Sequence, residues 1–198
     1  MLENKLRPKF QTIFVAPVAK KLSHYFTPNQ VSIFALGCGL FSALFLVFGW
    51  VLVSIILLLL SGYFDVVDGS IARIKNESSA FGTMLDILSD RMVEAAIVIA
   101  LVLRQPELSI VGLFMLSSML LCVSSFLVAG IFSSEASHKS FHYSSGLMER
   151  AEAFTFFILM MLFPSWGIAL GILFTVLVLW TACVRLYEFN KMTQSLDE

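Results

Sequence analysis

Between Ser61 and Arg91 the chain carries four aspartates in two close pairs, Asp65 with Asp68 and Asp86 with Asp90. Separations of three and four residues place each pair on one face of a helix, about 60° and 40° apart at 100° per residue. Two antiparallel helices joined by a short turn can present both pairs to a common centre. Four carboxylates that close repel strongly and cannot all stay ionised without cations between them. Hard oxygen donors of this kind suit Mg2+, Mn2+ or Ca2+ rather than zinc or copper. An alternative pairs the acids with Arg73, Lys75 and Arg91 at a wetted helix end. It leaves unexplained why Gly69, Ala72 and Gly82, small enough to admit a nucleotide or a neighbouring backbone, stand among them; helix packing alone also uses small residues.

The elements that hold these acids are membrane helices. Of 198 residues, 58% are hydrophobic and 14% charged, against roughly 25% charged in an average soluble domain. Mean hydropathy is +0.88. Apolar blocks of about 20 residues recur, each matching the hydrocarbon thickness one helix must cross. A membrane barrel would need alternating apolar and polar positions, and Val51 to Leu60 do not alternate. The pattern predicts an all-α polytopic membrane protein with six transmembrane helices, near 31–49, 51–71, 82–104, 108–133, 147–164 and 166–188. Trp50 and Pro164-Ser165-Trp166 mark two tight interfacial turns. An N-terminal amphipathic juxtamembrane helix is expected over about 3–24, where Leu6, Phe10, Phe14, Val18 and Leu22 recur every four residues beside lysines. No repeat or low-complexity segment is visible, so 1–198 reads as a single membrane domain.

Charge distribution sets the expected orientation. Of 13 Lys and Arg only Arg104 falls near one face, so the other face is expected to be cytoplasmic and to carry both termini and the acids. The membrane would be the cell (inner) membrane. A net charge of -1 suggests no nucleic-acid partner. Cys38, Cys122 and Cys183 lie inside apolar segments without metal-ligand or disulfide spacing. The first 26 residues lack the uninterrupted apolar core and cleavage site of a signal peptide. A small cation transporter is a competing function, but a conduction path places polar residues through the membrane depth, whereas these gather at one end.

Asp65, Asp68, Gly69, Ala72, Arg73, Gly82, Asp86 and Asp90 fit D-x2-D-G-x2-A-R-x8-G-x3-D-x3-D without a departure. This pattern resembles the signature of the CDP-alcohol phosphotransferases (CDP-alcohol phosphatidyltransferases), a family with six membrane helices and an N-terminal juxtamembrane helix. The resemblance implies a transferase of phospholipid biosynthesis that moves a phosphatidyl group from CDP-diacylglycerol to a small polar alcohol and releases CMP. It implies two divalent positions for Mg2+ or Mn2+: Asp65, Asp68 and Asp86 at one that contacts the donor diphosphate, Asp86 with Asp90 at the other. Asp90 would be the general base. Arg73 would meet the diphosphate, and Gly69, Ala72, Ser79 and Gly82 would line the donor side. Pro28, Asn29, Gln30 and Val31 look like the family's donor-binding entry to the first span, although Pro28 also suits a plain helix start. A homodimer is expected on the same ground.

For the acceptor, Gly146, Glu149, Arg150 and Glu152 are similar to a stretch of phosphatidylinositol phosphate synthase type members, and Arg185 matches a basic position of that subgroup. Ala153 stands where a second Arg is expected, and Val128-Ala129-Gly130 occupies the place of another basic element. The resemblance implies an anionic polyol phosphate held by Lys139, Arg150 and Arg185, with inositol phosphate ahead of glycerol phosphate. Free inositol and serine stay open, and helix-end cations also follow from topology alone.

Overall fold

The computed structural model describes residues 11–77, 79–136 and 150–197, and every regular element among them is helical. A π-wound turn, Gln11–Val15, leads into α1 (Ala16–Leu22). Then follow α2 (Pro28–Val47), α3 (Val51–Lys75), α4 (Ala80–Arg104), α5 (Ser109–Ala136), α6 (Arg150–Leu162) and α7 (Gly167–Asp197). The chain divides into two compact units at Ala100 and Leu101.

In the first unit, local chemistry sets each boundary. Thr27 and Gln30 form a reciprocal capping box at the start of α2: the Gln30 backbone N–H donates to Thr27 Oγ1 at 3.4 Å, and the Thr27 N–H donates to Gln30 Oε1 at 2.9 Å. Pro28 occupies the first turn, where its missing N–H costs nothing. Gly49, at φ +84, closes the turn into α3, a conformation that glycine adopts without strain. Trp50 stacks on Phe45 there, 5.6 Å between centroids, so the tight turn expected at Trp50 is present. Further along, α2 and α3 are joined by the buried Ser42 hydroxyl, which donates to the Ser54 carbonyl at 2.7 Å. At Gly39 an added Cβ would collide with Val93 of α4 and stand 3.0 Å from Ser61 Oγ of α3, so three helices converge on that position. Asn76, at φ 53, ends α3 in the left-handed conformation, and its N–H donates to the Ala72 and Arg73 carbonyls.

Only part of the expected 3–24 helix can be compared, because Leu6 and Phe10 lie outside the described residues. Val15 and Ala19 are fully buried in a cluster with Val31, Val67 and Ile71, with Val18 and Leu22 at its margin. Phe14 is exposed, but its carbonyl accepts from the Tyr63 hydroxyl at 2.9 Å. The buried face is thus set by α2 and α3.

The second unit is built on α5 and α7, with α6 beside them. An added Cβ at Gly171 of α7 would meet Val111 of α5, and Phe157 of α6 packs on Phe174 at 5.6 Å. The turn expected at 164–166 is a single 3-10 turn, Pro164–Trp166. Four stretches among the described residues are long and apolar enough to cross a membrane: Pro28–Val47, Val51–Lys75, Pro106–Phe132 and Pro164–Lys191. Of the six spans expected, α4 is 25 residues long but carries Asp86, Asp90, Arg91 and Glu94 within its first 15 residues. The other, α6, is described over only 13 residues, since 137–149 lie outside the described set. The helix α7 continues to Asp197, past the expected end at 188, because Glu188, Lys191 and Gln194 sustain a helix although they end the apolar run.

Candidate active site

The acids occupy two neighbouring helices. Asp65 and Asp68 stand near the C-terminal end of α3, and Asp86 and Asp90 in the first turns of α4. One carboxylate oxygen from each of Asp65, Asp68 and Asp86 lies within 4.8 Å of the other two. Asp90, half-buried one turn beyond Asp86, is not part of that triad. Asp68 is the innermost, 5% exposed, and its Oδ2 has no hydrogen-bond partner. Beside it, Ser32 is buried on α2, and its hydroxyl donates to the Pro28 carbonyl at 3.2 Å.

This geometry fits a divalent cation. Two oxygens on opposite sides of an ion bound at about 2.0 to 2.6 Å are about 4 to 5 Å apart, which is the spread of the triad. The orphaned Asp68 Oδ2 supplies an inward lone pair of the hard kind such an ion takes.

The three cations that could instead have neutralised the acids have other partners. Arg91 binds Glu94 with both terminal nitrogens, at 2.7 and 2.8 Å. Lys75 donates to the Phe26 carbonyl at 3.1 Å, and Arg73 donates to Ser70 Oγ at 3.1 Å. Each of these cations thus commits at least one donor away from the triad.

The small residues separate into two kinds. Beside Gly69 nothing lies within 4 Å of an added Cβ, so the space next to the Asp68 turn is open. At Gly82 an added Cβ would stand 3.2 Å from both Asn29 Oδ1 and Ser79 Oγ, so this glycine is explained by close packing against α2. Ser79 Oγ accepts from the Gly82 N–H at 3.0 Å and tethers the start of α4. Among the residues expected at the donor, Gln30 has its carbonyl committed to the capping box, Val31 is buried in the α1 cluster, and Ala72 is half-buried.

The acceptor candidates lie apart in sequence. Lys139 falls outside the described residues, as does most of the polar stretch before α6. Arg150 opens α6 with its guanidinium 5.1 Å over the Phe154 ring. Arg185 of α7 donates to the Cys122 carbonyl of α5 at 3.0 Å and stacks over Phe126 at 5.3 Å, so part of its hydrogen-bonding capacity joins two helices.

Two participants were not anticipated. Ser32 gave no signal, since a lone serine in an apolar helix is commonplace. Glu94 extends the four-residue spacing of Asp86 and Asp90 by one more step, and that continuation could have revealed it.

An all-helical membrane protein with a carboxylate triad at the junction of two helices is the class these observations define. The family model for CDP-alcohol phosphatidyltransferase matches residues 25–186, and the chain belongs to that family of enzymes. Over its full length it is 28% identical to the inner membrane protein YnjF of Escherichia coli, covering 99% of that protein. It is 33% identical to the phosphatidylinositol phosphate synthase of Corynebacterium glutamicum over 43% of this chain and 40% of that protein. In fold it is similar to the phosphatidylinositol phosphate synthase of Mycobacterium tuberculosis solved with CDP-DAG bound, with TM-score 0.71 and 23% identity over 89% of this chain and 93% of that one. The same enzyme solved with manganese and citrate gives TM-score 0.70 and 24% identity over 89% and 88% of the two chains.

Proposed function

We propose that this enzyme transfers the phosphatidyl group of CDP-diacylglycerol to the hydroxyl of a polar acceptor, releasing CMP, and that the acceptor is a polyol phosphate. The observation that carries the reading is the triad, three carboxylates sharing less than 5 Å with the buried Asp68 oxygen unpartnered. Asp65, Asp68 and Asp86 would hold one divalent cation, Mg2+ or Mn2+, and Asp86 with Asp90 a second. Bound there, the cations neutralise diphosphate charge and make CMP a better leaving group. Asp90 takes the proton of the acceptor hydroxyl. The acceptor oxygen then bonds to the β-phosphorus, which carries the diacylglycerol, while the bond from that phosphorus to the CMP oxygen breaks. Arg73, exposed at the end of α3, offers its planar donors to the diphosphate. The open space at Gly69 is where the nucleotide lies, with Pro28, Asn29, Gln30, Val31, Ala72, Ser79 and Gly82 around it.

The acceptor reading rests on Lys139, Arg150 and Arg185, and on similarity to the phosphatidylinositol phosphate synthase of Corynebacterium glutamicum. We place all six spans in one membrane domain over 1–198, because the family match crosses both compact units. Both termini and the site face the cytoplasm in this reading, and the enzyme works as a homodimer.

The deciding experiment measures CMP release from CDP-diacylglycerol by purified protein with Mg2+ or Mn2+, against inositol phosphate, glycerol phosphate, inositol and serine in turn. Turnover with a polyol phosphate that stops in excess EDTA is expected. Full turnover in EDTA, or preference for inositol or serine, would overturn the metal or the acceptor assignment respectively.

A further inference from the structure

Glu94 is 2% exposed on a helix expected to cross the membrane, and the reaction as described makes no use of it. It grips Arg91 two-toothed, Nη1 to Oε2 at 2.7 Å and Nη2 to Oε1 at 2.8 Å. A buried carboxylate with a cation is poor evidence of a stabilising device, because apolar residues of the same volume pack the position as well or better. Within membrane helices such ionisable groups mark function. Their placement on α4 gives the function a direction. Counted from Asp86 at 100° per residue, Asp90 stands at about 40°, Glu94 at about 80° and Arg91 at about 140°. Glu94 thus lies between Arg91 and Asp90, and the grip draws the guanidinium toward the Asp90 side of the helix. A guanidinium has five N–H donors, of which a fork-to-fork contact uses two. The remaining three belong to a side chain that is 36% exposed and held at two points by Glu94.

We propose that Arg91 is a substrate-binding residue of this enzyme, presenting those spare donors to a phosphate of the donor or of the acceptor, and that Glu94 is its positioning residue. The inference rests on the function proposed above. Arg91 then adds a cation on α4 itself, next to the base, where Arg73 serves from α3.

The test compares KM for each substrate, the other held saturating, in detergent micelles with Mn2+ and CDP-diacylglycerol. Arg91→Gln should raise one KM about 10- to 100-fold, the range of one or two charge-assisted hydrogen bonds. A rise in donor KM alone assigns Arg91 to the diphosphate. A rise in acceptor KM, seen with inositol phosphate or glycerol phosphate but not with uncharged inositol, assigns it to the acceptor. Glu94→Gln should raise the same KM about 3- to 10-fold, because it loosens the guanidinium without removing it, and Glu94→Asp should recover part of that loss. Since Arg91→Gln strands a buried carboxylate and can misfold, the neutral double variant Arg91→Gln/Glu94→Gln and the charge-keeping Arg91→Lys accompany it. Arg91→Lys should raise the affected KM severalfold by losing the planar fork. If Arg91→Lys leaves both KM values within about twofold of wild type, whether or not the double variant folds, the pair is structural and the inference is wrong. Wild-type protein that releases no CMP with any acceptor would instead refute the function itself.

Discussion

Replacing Asp68 by asparagine changes one oxygen to a nitrogen at nearly constant volume, so what it perturbs is charge. Its carboxylate shares a 4.8 Å sphere with those of Asp65 and Asp86. Two ionised carboxylates at that distance repel by about 3.5 kcal/mol at an effective dielectric constant near 20. Asp68→Asn removes two of the three repulsive pairs. Solvent around the half-buried Asp65 and Asp86 reduces the relief to about 1 to 3 kcal/mol. In EDTA the variant should therefore unfold at a temperature equal to or above wild type, by up to several degrees. Metal reverses the order. A cation bound to the folded protein at 100 times its dissociation constant adds about 2.7 kcal/mol, so wild type should gain about 5 to 10 °C on adding Mn2+. The variant, short of its most buried ligand, should gain little. Thermal unfolding in detergent, with and without metal, reads both effects in one series. A variant less stable than wild type in EDTA that keeps the full metal shift would refute the reasoning and make Asp68 a structural carboxyl.

Asp90→Asn should lower turnover by about two to four orders of magnitude, the usual contribution of a general base, while CDP-donor binding persists; near-normal turnover removes Asp90 from that role. Gly69→Ala should raise thermal stability by about 0.5 to 1 kcal/mol through helix propensity, since nothing stands in the way of the new methyl, yet raise the donor KM. An unchanged donor KM would mean that the open space is not where the nucleotide lies. Arg150→Ala and Arg185→Ala should each raise acceptor KM much more than donor KM, checked by steady-state kinetics with each substrate varied. Arg185→Ala should also lower the melting temperature, because its bond to the Cys122 carbonyl is lost.

The helices were legible where their cause is local. The capping box at Thr27 and Gln30, the glycine turn before Val51 and the proline turn at 164–166 are written in adjacent residues. Boundaries slipped where hydropathy and helicity part company, as in α7, whose polar extension to Asp197 continues the helix beyond its apolar run. The span expected near 82–104 corresponds to α4, but its acids dilute its apolarity below that of the four stretches long and apolar enough to cross a membrane.

At the site, spacing along one helix revealed which acids share a face, but the partner of each side chain is a tertiary fact. Convergence of Asp65, Asp68 and Asp86 followed from two pairs on helices joined by a short turn. The division of labour among the glycines did not follow, since Gly69 and Gly82 look alike in sequence; one borders open space and the other Asn29 of α2. Arg91 is a different case: beside four acids it offered a counter-ion as the alternative to a metal, whereas Glu94, three residues on along the same helix, holds it. Within the triad it forms with Asp65 and Asp86, Asp68 keeps a buried oxygen that has no hydrogen-bond partner. That is why the arrangement points to a bound divalent ion rather than to a self-compensated polar patch.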